Sequence, residues 1–156
     1  MRRPVRYGPC RCSVAIAREA ADGMTLHRDQ PGHGPAAGAP VRKVLVVDDE
    51  RDLADLAQAL LAAHGIAASV AYDAAAALQA LDDDAGIDAM FSDVTMPGMN
   101  GLQLAQAARA RHPQLMIVLT SGFTAPALTA ELGRQFLFTA KPYRIEAVIA
   151  KLRGAP

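Results

Sequence analysis

The chain has 156 residues, half of them apolar, with 16 basic side chains balanced by 16 acidic ones. That is enough for one domain with a tail and a proper core, and no apolar run approaches the roughly twenty residues of a membrane-spanning helix. The charge is uneven: residues 1–40 hold six arginines against three acidic residues, whereas residues 41–156 hold ten basic against thirteen acidic side chains. An acidic domain without a basic cluster does not suit direct nucleic-acid binding, and the scattered arginines make no basic arm.

Residues 1–40 show no sustained periodicity. Arg2, Arg3 and Arg6 precede an apolar run, Val14–Ala17, that stops at Arg18-Glu19. That run is too short for a secretory signal, so a cytoplasmic location is expected, with no membrane partner. Cys10 and Cys12, one residue apart, suit neither a disulfide nor a four-ligand zinc site and read as free thiols. Asp29 to Pro40 is too rich in Pro and Gly for a helix or strand. Residues 1–40 are therefore expected to be a disordered or linker-like extension, with Met24 as an alternative start, and 41–156 the folded domain.

From Val41 strand-like and helix-like runs alternate. Lys43–Val47 is a continuous apolar run, as in a strand buried on both faces. Glu50 to His64 has Leu53, Leu56, Leu60 and Leu61 at helical spacing, with Gly65 as the stop. Ile66 to Tyr72 is extended, and Asp73 is placed to cap an Ala-rich helix carrying Leu78 and Leu81. Ile87–Phe91 predicts a third strand ending at Ser92-Asp93. Gly101 to Arg111 predicts a helix closed by His112-Pro113. Leu115–Leu119 predicts a fourth strand. Thr124 can cap a short helix with Pro126 in its first turn. Phe136–Phe138 predicts a fifth strand, and Arg144–Arg153 a last helix with Ile145, Val148, Ile149 and Leu152 on one side. His64 and His112 fall at helix ends, where a cation is favourable. Met90, Met96, Met99 and Met116 read as core or loop fillers. Five such units imply an α/β fold, a five-stranded parallel sheet with helices on both faces.

Ligands of such sheets bind beyond the carboxyl ends of the strands. Asp48 and Asp49 follow the first strand, Asp93 the third and Thr120 the fourth, and Lys141 comes three residues after Phe138. Three convergent carboxylates repel one another unless a cation joins them. Oxygen-only ligands point to magnesium. A carboxylate beside such a metal can attack a phosphoryl group to form an acyl phosphate. Lys141 would add a point charge and Thr120 a hydrogen bond to the phosphoryl oxygens.

The stretches Val44-Leu-Val-Val-Asp-Asp-Glu50, Ser92-Asp-Val-Thr-Met-Pro-Gly-Met-Asn-Gly101, Val118-Leu-Thr-Ser-Gly122 and Ala140-Lys-Pro142 resemble the receiver domain of two-component response regulators over residues 42–154. The resemblance implies a (βα)5 flavodoxin-like receiver fold. Asp93 is then the phosphoacceptor, and Asp48 and Asp49 hold Mg2+ together with Asp93 and the backbone carbonyl of Thr95. Lys141 is the lysine before a cis-type proline peptide, Thr120 the switch hydroxyl and Phe138 the switch aromatic. Asn100 stands where the family more often has Asp, and Phe138 lacks the hydroxyl of a commoner Tyr. The phosphoryl donor implied is a sensor histidine kinase or a histidine phosphotransfer protein, and Thr120-Ser-Gly122 is similar to receivers of hybrid kinases.

The expected partner face lies on the last two strand–helix units. With no output domain after the last helix, the expected output is a protein contact, and the domain is a phosphorylated switch, not an enzyme. A phosphorylation-independent interaction module is the alternative, which loss of Asp49, Asp93 or Lys141 would have marked. A hydrolase of the aspartyl-phosphate type needs a second Asp where Thr95 stands.

Overall fold

The computed structural model describes residues 40–122 and 134–154. Its elements are β1 (Lys43–Val47), α1 (Arg51–Ala63), β2 (Ala67–Ala71), α2 (Ala74–Asp83), β3 (Ala89–Asp93), α3 (Gly101–Arg111), β4 (Met116–Ser121), β5 (Leu137–Ala140) and α4 (Ile145–Leu152). The strands form one all-parallel sheet in the order β2-β1-β3-β4-β5. Arg134 and Gln135 are helical, while the rest of the helix expected from Thr124 lies outside the described residues, as do the linker-like extension and both cysteines. Among the described residues no helix is long and apolar enough to cross a membrane.

Alternate residues of a strand face opposite sides of the sheet, and the two cores follow that alternation. Leu45, Val47, Met90, Ile117 and Leu119 pack with Ala77, Leu78 and Leu81 of α2 and Leu104, Ala105 and Ala108 of α3. Val44, Val46, Phe91 and Val118 pack on the other side with Ala54, Ala57 and Leu61 of α1 and Val148, Ile149 and Leu152 of α4. Burial on both faces explains why β1 and β4 read as unbroken apolar runs.

Local chemistry sets the element ends. Asp73 accepts a hydrogen bond from the Ala76 amide at 2.7 Å and caps α2, and Gly65 closes α1 with φ +78°. Asn100 and Gln103 form a capping box on α3, so Asn serves as well as Asp at this position. The imidazole Nδ1 of His64 lies 2.9 Å from the Leu60 carbonyl, as its place at a helix end suggested. His112 instead pairs with Asp82 of α2 at 3.1 Å. The third strand opens at Ala89, two residues later than its apolar run. Asp88, just before it, turns its carboxylate onto the amides of Arg42 and Lys43 at 2.8 and 3.0 Å. The fourth strand runs two residues further than expected, to Ser121, because Thr120 and Ser121 continue the ladder against Thr139 and Ala140.

The first helix departs most from its sequence reading. Its buried face is Ala54, Ala57 and Leu61, whereas Leu53, Leu56 and Leu60 are 37%, 55% and 37% exposed. The helix is seated on the sheet by its alanines, whose small side chains permit close approach, and three leucines are displaced to its flank. Facing the opposite flank, Gln58 donates to the Ala68 carbonyl at 2.8 Å, satisfying an acceptor on the edge strand β2.

Candidate functional site

In this strand order the winding reverses between β1 and β3, and that crevice is where the carboxylates gather. Asp48 and Asp49 leave the end of β1, and Asp93 is the last residue of β3. One oxygen from each of the three lies within 4.8 Å of the others. Lys141, just past β5, donates to Asp48 Oδ2 at 3.1 Å and to Asp93 Oδ2 at 3.0 Å. Each buried carboxylate uses its other oxygen on a backbone amide: Asp48 Oδ1 accepts from Glu50 at 3.0 Å and Asp93 Oδ1 from Thr95 at 3.3 Å. Asp49 is exposed and completes the cluster on the solvent side.

One ammonium thus pairs with two of the three carboxylates, leaving an excess of negative charge in a mostly buried crevice. Burial by itself would lower the Lys141 pKa. The hydrogen bonds and charges of Asp93 and Asp48 outweigh it, and the ammonium is held above its ordinary value. Lys141 is therefore charged throughout the neutral range. The surplus carboxylate charge and all-oxygen donor set fit a small hard dication such as Mg2+, and the cluster contains no His or Cys.

A second feature points to an anionic ligand. Thr120 is paired with Asp93 across β3 and β4, is 1% exposed, and its hydroxyl has no hydrogen-bond partner among the described residues. A buried hydroxyl without an acceptor costs about 1–3 kcal/mol, which an incoming anionic oxygen would recover. Phe138 lies opposite Leu119 on β5, one step in register from Thr120, and is partly buried against the α2–α3 side of the core. The structure thus brings Asp48, Asp49, Asp93 and Lys141 into direct contact or close approach and puts Thr120 and Phe138 on adjoining strands. Thr95 meets Asp93 through its amide. A ligand role for the Thr95 carbonyl rests on the resemblance alone. The Lys141–Pro142 peptide is cis, as the resemblance implied.

A model of the response regulator receiver domain matches residues 44–153, most of the described chain. The chain belongs to the response-regulator receiver family. Its relatives include the transcriptional regulatory protein CpxR of Escherichia coli K12, 36% identical over 116 residues, which are 73% of this chain and 49% of CpxR. The sensory transduction protein RegX3 of Mycobacterium tuberculosis H37Rv is 37% identical over 113 residues, 71% of this chain and 49% of that one. The receiver accordingly spans about half the length of the curated relatives it matches. Among solved structures, the Vibrio cholerae chemotaxis protein CheY4 superposes with a TM-score of 0.67 at 25% identity, covering 74% of this chain and 99% of that one. The flavodoxin-like receiver fold and a place in two-component, phosphorylation-based signalling follow from the family, whose receivers bind Mg2+ at an acidic pocket and interact with sensor histidine kinases.

Beside the carboxylates the receiver exposes a surface that its sequence did not reveal. Leu53, Leu56 and Leu60 of α1, with Pro142, Tyr143 and Ile145, line an open apolar groove of about 470 Å³ that reaches Lys141. Tyr143 packs edge-on against Phe91 of β3, with ring centroids 5.1 Å apart. Burial pushes its hydroxyl pKa up, with the Lys141 charge opposing the shift. No periodicity marks a lone aromatic in a loop, and its position two residues after Lys141 is the one signal that could have found it.

Proposed function

We propose that this receiver accepts a phosphoryl group on Asp93 from a phosphohistidine donor and signals through altered protein contacts. The observation that carries the reading is the convergence of Asp48, Asp49 and Asp93, with the Lys141 ammonium on Asp48 and Asp93 and the orphaned Thr120 hydroxyl alongside. A carboxylate oxygen of Asp93 attacks phosphorus as the N–P bond of the donor breaks, the electron pair returns to the imidazole, and an acyl phosphate results. Asp48, Asp49, Asp93 and the Thr95 carbonyl would hold Mg2+, which when bound neutralises phosphoryl oxygens. Lys141 follows the charge from the Asp93 carboxylate onto the phosphoryl group, and Thr120 donates its hydrogen bond to one of the new oxygens.

The modification adds about −1.5 to −2 charges. Drawing Thr120 toward them vacates space beside β5 that Phe138 fills by changing rotamer, which biases the surface of the last strand–helix units. The acidic surplus of residues 41–156 favours a protein contact as output over direct binding of nucleic acid. Incubation with acetyl phosphate and Mg2+, followed by intact-mass measurement, is expected to show one phosphoryl increment that disappears in Asp93→Asn and with a chelator. An unmodified wild-type protein, or an increment retained in Asp93→Asn, would overturn the assignment.

The groove on α1 suits the donor, because a helical protein resting on Leu53, Leu56 and Leu60 is placed beside Lys141 and Asp93. Leu56 is the most exposed of the three leucines, so Leu56→Asp leaves the core intact. It is expected to slow transfer from a phosphorylated histidine phosphotransfer protein roughly tenfold, the cost of placing a charge in an apolar contact. Labelling by acetyl phosphate should be unchanged, and equal slowing with both donors would rule out a docking role.

A further inference from the structure

Behind the carboxylate cluster the backbone of Asp93 is held by contacts that the chemistry above does not use. Ser92 has no exposed surface, and its hydroxyl donates to the Asp93 carbonyl oxygen at 2.9 Å. The amide in the same peptide plane, that of Val94, donates to the Thr120 carbonyl at 2.8 Å. The Asp93–Val94 peptide is therefore fixed at both its oxygen and its nitrogen.

Gly101, the first residue of α3, also approaches it closely. A Cβ there would stand 2.0 Å from the Asp93 carbonyl oxygen and 2.8 Å from its carbonyl carbon, and the Gly101 amide donates to the Val94 carbonyl at 3.0 Å. The last β1–β3 pair is Val47 with Ser92, so Asp93 stands one residue beyond the support of β1. A hydroxyl bond to its carbonyl supplies support where that ladder has ended. The next amide along, that of Thr95, donates to the Asp93 carboxylate, so turning the Asp93–Val94 peptide would also turn the group that orients Oδ1.

We propose that Ser92 is a positioning residue for phosphoryl transfer at Asp93: its hydroxyl, together with the close seat of Gly101, locks the Asp93–Val94 peptide and with it the aim of the carboxylate. The inference rests on Asp93 being the phosphoacceptor. A hydroxyl that merely satisfied itself in the core would affect stability and leave the chemistry alone. One that positions the carboxylate affects the rate in protein that remains folded.

The test uses the full chain with Ser92→Ala, which removes the donor, and Ser92→Thr, which retains it. Phosphorylation by acetyl phosphate at saturating Mg2+ is followed by intact mass, unfolding by urea, and exchange of the Val94 and Thr95 amides by NMR. Ser92→Ala is expected to lose roughly tenfold in rate while folded, with faster exchange at both amides, and Ser92→Thr to recover most of the rate. A wild-type rate in Ser92→Ala, or a loss that only follows the folded fraction, overturns the proposal. If wild-type protein takes up no phosphate, the assignment of Asp93 fails instead, and unchanged Val94 and Thr95 exchange in Ser92→Ala would then sink the clamp on its own.

Discussion

Replacing Lys141 by Met is expected to lower the stability of the metal-free receiver by about 3 kcal/mol, because it leaves two buried carboxylates without the cation they share. Asp48 and Asp93 each give one oxygen to that ammonium, at 3.1 and 3.0 Å. Their remaining bonds, to the Glu50 and Thr95 amides, do not neutralise charge. Urea unfolding in a chelator measures the loss. Adding Mg2+ should restore more stability to Lys141→Met than to the wild type, since a bound dication then replaces the positive charge that the ammonium supplied. The pH dependence has a definite sign. The Lys141 pKa is raised on folding, so its contribution is complete below the ordinary lysine range and fades as pH climbs through the elevated value. The gap between wild type and variant should accordingly stay constant across neutral pH and close only in strongly alkaline buffer. Phosphorylation by acetyl phosphate should fall roughly hundredfold, the scale of losing one charged stabiliser of a transferring group. Equal stability of the two proteins in chelator would show that the lysine is solvated and that the cluster is not a linked unit.

The same unit explains which parts of the molecule were legible in the sequence. The ends of the first and third strands were readable because a carboxylate at the close of an apolar run is both a boundary and a chemical signal, as at Val47-Asp48 and Ser92-Asp93. The sheet was readable because strands buried on both faces cannot disguise themselves as amphipathic helices. In α1 the leucines recur at helical spacing, so periodicity identified the helix correctly. Yet the residues against the sheet are Ala54, Ala57 and Leu61, a stripe rotated from the leucines. Hydrophobicity ranks Leu above Ala, whereas close packing of a helix on a sheet selects for size, and the sequence carries no mark of which criterion prevails. The leucine flank became visible only with the Tyr143 loop beside it. Ser92 was hidden for a different reason: its contact is with the next residue's own carbonyl, a local geometry without a spacing pattern. The fifth strand was anticipated one residue early at its start and two at its end, since Phe136 is buried ahead of the strand and the strand runs on to Ala140.

The close seat of α3 leads to the second large effect. Gly101→Ala is expected to destabilise the receiver by about 3 kcal/mol, the upper range for overpacking, although alanine is the better helix former. The clash is with backbone, not with the end of a side chain: the new Cβ would meet the Asp93 carbonyl oxygen at 2.0 Å and Val94 Cα at 2.8 Å. No rotamer change relieves it, so either α3 slides outward or the end of β3 moves. Sliding breaks the Gly101–Val94 hydrogen bond and disturbs the Asn100–Gln103 capping box. Moving β3 displaces Asp93 relative to Lys141 and Asp48. Either response loosens the carboxylate cluster, so the gain in stability on adding Mg2+ should shrink in Gly101→Ala. Gly122→Ala is the matched control, because among the described residues a Cβ there meets nothing within 4 Å, and its cost should stay within about 0.5 kcal/mol. Urea midpoints with and without Mg2+ for both variants decide the matter. If Gly101→Ala proved as stable as Gly122→Ala, the first turn of α3 would have room to yield, and its seat against Asp93 could not hold the site in place.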